Sequence, residues 1–350
     1  MEAEIAILGA GLTGLNLARR LENAGKEVIL IEARTRLGGR IYTKKSANNT
    51  SIEMGATWLG SQHSNLLALL DELDIQIYEQ FMDGITYFQP FSTSPPQPVE
   101  LPAQSPNYRI KGGTTIIVER LTESIGRSRV LTNYPISGLE FTENKVLIQG
   151  PGSLIEVDLV ISTLPPALLI NSIQFQPSLP SELAEIMHQT HTWMRDSIKV
   201  GVVYPNAFWR DNRESGTLFS NVGPLNESYD HSNYENTSFA MKGFVDAAFS
   251  TLPRSMREAK VINQLNRAFG DRASNPLAYE EVVWSKELYT KGNDQSELFP
   301  HQNNGHQIYQ HSFFKNRLII AGSETAGQYG GYMEGAVLSS NNVTARVLRK

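Results

Sequence analysis

The chain has 350 residues, enough for about two domains at roughly 150 residues each, or for one large domain with an insert. Forty per cent is hydrophobic and only 19% is charged, which supports a sizeable core and excludes a disordered chain. Lys and Arg number 31 against 36 Asp and Glu, leaving a net charge of −5 and no basic footprint for nucleic acid or an anionic membrane. The absence of cysteine removes disulfides, thiolate metal sites, a cysteine nucleophile and any cysteinyl cofactor linkage. No apolar run is long enough to span a bilayer and no leader-type segment opens the chain, so the expectation is a soluble, cytoplasmic protein.

In chain order, residues 5–8 form an apolar run that predicts a strand. Leu12, Leu15, Ala18 and Leu21 recur at helical spacing, and Gly25 is placed to end that helix. Residues 27–31 predict a second strand, ending at Glu32. A helix is expected over 64–73, with Ser64 as N-cap and Leu66, Leu67, Leu70 and Leu73 as its buried stripe. Six of the 17 prolines fall within 90–106, which reads as an extended loop, neither helix nor central strand. Then come a turn at Gly112-Gly113, a helix over 115–125, and strands near Val130, Leu139, Val146 and over 157–162, closed by Pro165-Pro166. A strand over 198–204 contains one lysine, Lys199. The polar segment 211–240 reads as loops. The tail repeats the opening theme, with apolar residues 318–321, Gly322, and a helix over about 331–348.

Gly9-Ala10-Gly11-Leu12-Thr13-Gly14 is a G-x-G-x-x-G lying between a strand and a helix, with the acid Glu32 closing the next strand. Gly9 allows the tight turn, Gly11 lets backbone approach a pyrophosphate, and Gly14 permits close helix–strand packing. The helix start, with Leu12 and Thr13, offers N–H groups to phosphates, and Glu32 accepts from ribose hydroxyls. Beyond Glu32-Ala33, the run Arg34-Thr35-Arg36-Leu37-Gly38-Gly39-Arg40-Ile41-Tyr42-Thr43 fits the R-x-G-G-R-x-x-S/T pattern of two-dinucleotide-binding-domain flavoproteins. Gly39 would pass close to the cofactor. Arg34 and Arg40 supply donors for the adenosine side and the phosphates.

Further motifs carry a family resemblance. Ala321-Gly322-Ser323-Glu324-Thr325-Ala326 and Gly331-Tyr332-Met333-Glu334-Gly335-Ala336 resemble the closing flavin-binding signature of the monoamine oxidase family. Glu53-Met54-Gly55-Ala56-Thr57-Trp58 is similar to that family's loop beside the isoalloxazine, and 109–119, 160–166 and Phe208-Trp209-Arg210 match as well. The resemblance implies an α/β fold, with a Rossmann-like FAD-binding domain assembled from 1–76, 109–187 and 287–350. An α+β substrate domain, 77–108 and 188–286, would be inserted into it. It also implies non-covalent FAD, met by Gly55, Ala56 and Thr57, by Gly322 and Ser323, by the backbone of Met333, and by Ile136 at the adenine. Trp284 would lie against the flavin or simply pack the core.

A lone lysine in an apolar strand needs an explanation, because a buried unpartnered ammonium is costly. In the family the lysine matching Lys199 reaches flavin N5 through a water. Tyr332 matches one wall of a paired-aromatic amine cage, while Asn293-Asp294 stands where the flavin-linking cysteine and second aromatic are found elsewhere. Asp294 would either bind a substrate ammonium or serve as a turn residue. The chain is shorter than the mammalian enzymes around 77–108, which implies a differently roofed cavity. His301, His306 and His311 lack metal-ligand spacing, so no metal site is expected.

The resemblance implies oxidation of an amine C–N bond to an imine by hydride transfer to flavin N5, with O2 as acceptor and H2O2 as product. The alternatives are a flavin oxidoreductase of another substrate class, either amino acid or apolar molecule, a nicotinamide-dependent dehydrogenase, and a non-catalytic FAD-binding protein.

Overall fold

The opening strand, Glu2–Leu8, turns Ile5 and Ile7 to one face and Ala6 and Leu8 to the other, and all four are buried. In the computed structural model, which describes residues 2–102, 105–125, 129–291 and 297–349, this strand lies between Val28–Ile31 and Ile155–Ser162, parallel to both. Arg129–Leu131 continues the parallel order beyond Val28–Ile31. On the other side, the end of Ile155–Ser162 pairs in parallel with Leu318–Ile320. Its beginning pairs antiparallel with Val146–Gln149, which forms a hairpin with Gly138–Phe141. Strands covered on both faces read as continuous apolar runs, which is why 5–8 and 27–31 are plain in the sequence.

Four helices cover one face: Leu12–Asn23, Ser64–Glu72, Thr115–Ser124 and Met333–Leu348. Leu15, Leu21, Leu121 and Val337 are buried there, each contributing about 1.5–3 kcal/mol by leaving water. The first and last helices pack together. Thr13 Oγ1 donates to the Ala336 carbonyl at 3.1 Å and Asn16 Nδ2 to Ser340 Oγ at 2.7 Å, so the two ends of the chain meet.

The helix expected to begin with a serine cap is capped from elsewhere. Ser64 is its first helical residue and His63 stands at the cap position without a capping side chain. Its free N–H groups are taken by Glu334 of the last helix, which accepts from Asn65 N at 3.1 Å and Leu66 N at 2.7 Å. Leu66, Leu69 and Leu70 are buried, and Leu67 and Leu73 pack at the margin of that core. Pro166 opens a short helix, Pro166–Ser172, rather than ending structure.

A second sheet has the strand order Ala278–Val283, Ile198–Tyr204, Phe239–Val245, Leu225–Asp230, Glu214–Ser220, Ile85–Gln89 and Gln97–Val99. The loops expected over 211–240 are thus corrected to two strands and the start of a third. Their composition misled because polar residues among them point inward: Ser215 and Thr217 are buried, and Ser215 Oγ bonds Thr86 Oγ1 at 3.0 Å. The proline-rich stretch contributes an edge strand around Pro98, where a missing N–H removes no ladder bond. Helix Arg254–Phe269 packs Val261 and Leu265 onto this sheet.

Candidate active site

A cavity of about 970 Å3 is lined from both sheets. On the side of the first sheet, the strand Glu2–Leu8 ends at Gly9, whose positive φ turns the chain into the first helix. That helix has Gly11 in the cap position, no side-chain cap and no acid in its first turn, and Leu12 and Thr13 face the cavity. Its free N–H groups and partial positive charge therefore meet no side-chain cap among the described residues. Gly14 is not on the wall and acts from behind. A Cβ there would lie 1.9 Å from the Gly9 carbonyl oxygen, so only glycine lets the helix sit on the strand end.

Glu32 is buried beside this turn, its two oxygens accepting from Ala10 N and Arg34 N, each at 2.9 Å. Ala33, Arg34 and Ile136 line the same part of the cavity. Arg34 also ties in the chain after the second sheet, donating to Thr290 Oγ1 at 2.9 Å. An uncapped helix N-terminus, a fixed carboxylate at the end of the next strand, and a cavity of this volume together fit a dinucleotide.

Arg40 joins the opening segment to the tail. Its guanidinium meets both Glu324 oxygens, at 2.5 and 2.8 Å, and donates to Ser323 Oγ at 2.9 Å and to the Trp193 carbonyl at 3.0 Å. Burial opposes ionisation of Glu324, but the Arg40 charge and these hydrogen bonds overcome it and hold the carboxyl below its ordinary value. Gly39, Ser323 and Met333 line the cavity. Gly322 lies behind the wall, donating to Ser339 Oγ at 3.0 Å.

On the side of the second sheet, Ala56, Thr57 and Trp58 form one wall, facing Lys199, Glu227 and Phe244. Gly55 itself is off the wall, because a side chain there would meet the Arg40 carbonyl. Lys199 is buried in the middle of Ile198–Tyr204, and its amine donates to the Gly55 carbonyl at 2.5 Å. Burial lowers the Lys199 ammonium to about 8, although Lys242 as hydrogen-bond partner and the Glu53 and Glu227 charges act the other way. Trp284 does not reach the cavity. It is fully buried and donates to the Met54 carbonyl at 2.8 Å, fixing the segment before Gly55.

Lys242 is a residue the sequence reading missed. It is fully buried, donates to Thr57 Oγ1 and lies 4.2 Å from the Trp58 ring centroid. Its signal was the same as that of Lys199: one lysine inside the apolar run Phe239–Val245.

Tyr332 lines the cavity at the start of the last helix, but not alone. Trp193 lies 5.5 Å from it at a 32° tilt, and His301 stacks on it at 5.6 Å. These are contact distances between rings, so the Tyr332 faces are partly covered by neighbouring aromatics. Asn293 and Asp294 lie outside the described residues. Among the described residues no cluster of His, Asp and Glu is gathered to hold a metal, and no helix is long and apolar enough to cross a membrane.

Fold and cavity together define a dinucleotide-binding scaffold. The profile of the flavin containing amine oxidoreductases matches residues 12–105 and 99–348, and the chain belongs to that family. It is 24% identical to the flavin-containing amine oxidase A of Sus scrofa over 99% of this chain and 85% of that protein. It is also 24% identical to the putrescine oxidase of Kocuria rosea, over 83% and 84% respectively. The first of these alignments runs over 456 positions, more than the 350 residues present here, so that relative carries segments this chain lacks. A putrescine oxidase structure bound to putrescine superposes with a TM-score of 0.88 at 21% identity, covering all of both chains. The cyclohexylamine oxidase of Brevibacterium oxydans gives 0.87 at 18%, covering 100% of this chain and 99% of that one. The two structures share this fold. As a family member the protein is a flavin-dependent amine oxidoreductase, and with no cysteine in the sequence its flavin has no cysteinyl link.

Proposed function

We propose that the protein oxidises the C–N bond of a primary or secondary amine to an imine, with O2 as acceptor and H2O2 as the second product. The imine then hydrolyses in water. The amine loses two electrons and two hydrogens, and O2 gains both. Bound FAD supplies the two-electron chemistry. The observation that carries this reading is one cavity in which the dinucleotide-binding turn, the Lys199 amine and an aromatic-lined chamber are contiguous.

The chain's own residues divide the work. Gly9, Gly11, Leu12 and Thr13 present backbone to the diphosphate, Glu32, Ala33, Arg34 and Ile136 enclose the adenosine, and Ser323 and Met333 bring in the second helix start. Arg40 acts through Glu324 and Ser323, holding the tail against the opening segment. Lys199, Ala56 and Thr57 bound the reacting end. On the substrate side, Tyr332, Trp58 and Phe244 exclude water from the amine. The Glu227 carboxylate, steadied by the Tyr229 hydroxyl at 2.8 Å, offers an anionic partner for a cationic substrate group. In this division 1–76, 109–187 and 287–350 form the FAD-binding domain, and 77–108 with 188–286 the substrate domain.

The test is direct. Purified protein should show oxidised-flavin absorbance, retained until denaturation releases FAD, and should release peroxide with at least one member of an amine panel in air. Protein that stays colourless after incubation with FAD would overturn the cofactor assignment. Flavin-loaded protein inert to every amine, yet active on amino acids, would overturn the substrate class.

A further inference from the structure

Strands Ile198–Tyr204 and Phe239–Val245 are antiparallel, with Lys199 opposite Phe244 and Gly201 opposite Lys242. Side chains alternate along strands, so Lys199 and Lys242 stand diagonally on one face of the sheet. Gly201 leaves the space between them to Ile52, against which any Cβ at 201 would collide. The two amines converge on the same pair of rings: Lys199 Nζ lies 4.4 Å from the Phe244 centroid and 5.9 Å from that of Trp58, and Lys242 Nζ 5.7 Å and 4.2 Å from them. Lys199 is on the cavity wall, whereas Lys242 lies behind it, fully buried.

The donors and acceptors can be counted here. Thr57 Oγ1 uses its one hydrogen on the Gly55 carbonyl at 3.2 Å, so toward Lys242 it can only accept. Lys242 thus donates to Thr57. Lys199 donates to the Gly55 carbonyl and needs an acceptor where it meets Lys242. A neutral Lys242 amine has one lone pair to give, whereas two ammonium groups would face each other donor to donor. We propose that Lys242 is a positioning residue, the uncharged acceptor for Lys199, so that the pair holds one positive charge and presents it on the cavity-facing amine.

The surroundings support this placement of the charge. Glu53 favours a charge on either amine and Glu227 on Lys199 alone, while Arg109 opposes one on Lys242 and His231 faces both lysines. Arg109 is cationic and disfavours a second charge there. His231 Nε2 accepts from Glu53 N at 3.1 Å, which leaves its ring proton on Nδ1 and the ring neutral. Burial and the Lys199 charge both push the Lys242 ammonium well below an ordinary lysine. The inference rests on the assignment of Lys199 to the reacting end, and its test does not require turnover.

The measurement is a pH titration of the flavin-loaded enzyme carrying [13Cε]lysine, followed by NMR, with Lys199→Met and Lys242→Met identifying the two signals. In the native protein Lys242 should keep the shift of a neutral amine at pH 7, and Lys199 should titrate near 8. Lys242→Met should lower the Lys199 midpoint by about one to two pH units, the worth of a hydrogen bond to a charged group. Lys242→Gln, whose carboxamide oxygen can accept, should recover most of that shift. An unchanged or raised Lys199 midpoint in Lys242→Met, or a Lys242 signal with an ammonium shift at pH 7, would overturn the proposal. If Lys242→Met does not fold, the native signals and the Gln variant still decide. Normal lysine titrations in an enzyme that releases no peroxide from any amine would instead count against the functional reading.

Discussion

The two sheets solve burial in opposite ways. The nine-stranded sheet around Glu2–Leu8 is apolar on both faces, and its polar contacts sit at strand ends and helix starts. The seven-stranded sheet buries polar and charged side chains within its strands: Lys199, Lys242, Ser215, Thr217, Ser228 and Asp230. In the proposed function the first arrangement grips a cofactor with backbone, needing only room and free N–H groups. In the same proposal the second surrounds the reacting end with side chains whose protonation matters. Stability in the first region comes mainly from area, and in the second from whether each polar group finds its partner.

That difference decided what was legible in the sequence. Apolar runs at 5–8 and 27–31, the glycine spacing and the closing helix are local signals, and each is found where expected. The strands within 211–240 were illegible because Ser215, Ser228 and Asp230 carry turn-like composition, and only residues distant in the sequence, Thr86 beside Ser215 and Gly243 and Met241 paired with Ser228 and Asp230, make them strand residues. The partners Glu334 to Asn65 and Arg40 to Glu324 are non-local too, separated by 269 and 284 residues. Within the site, the glycines and Glu32 were visible from their pattern. Lys242 was passed over although it carries the same signal as Lys199, because its place beside Lys199 exists only where two strands come together.

Arg40 tests the contrast most severely, since it is a charged pair within the otherwise backbone-built region. Arg40→Met leaves Glu324 buried without its partner and should cost about 3–5 kcal/mol at pH 7 in denaturant melts. In the native protein the Glu324 carboxyl is held low, so the pair's contribution is present above the ordinary glutamate value and is lost as pH falls through the lowered one. In the variant the order reverses: the stranded carboxyl is raised, and acidifying toward pH 5 should recover part of the loss. An equal cost at both pH values would show that Glu324 is not the group left behind.

Lys199 should behave in the opposite sense, as a residue kept for function against stability. Its folded value near 8 lies below the ordinary 10.5, so the unfolded chain binds the extra proton and stability rises with pH between those values. Lys199→Met removes that burden and should stabilise the protein by up to about 3 kcal/mol below pH 8, the gain fading by pH 10.5. Peroxide release should fall sharply in the same variant. A destabilised Lys199→Met with full activity would make the lysine structural, and the second sheet an ordinary core.

Two serines of that sheet supply the finest comparison. Ser215 is buried with its hydroxyl bonded to Thr86 Oγ1 and to the Ile85 carbonyl at 3.1 Å, so Ser215→Ala strands a buried partner and should cost about 1–3 kcal/mol. Ser228 is equally buried on the neighbouring strand, but its hydroxyl has no hydrogen-bond partner among the described residues. Ser228→Ala removes an unsatisfied polar atom and leaves nothing behind, so its thermal midpoint should stay level or rise slightly. Equal losses from the two changes would mean that the sheet values these hydroxyls for packing alone. A loss at Ser215 only would show that the partner of a buried polar group, more than its burial, sets its worth in this sheet.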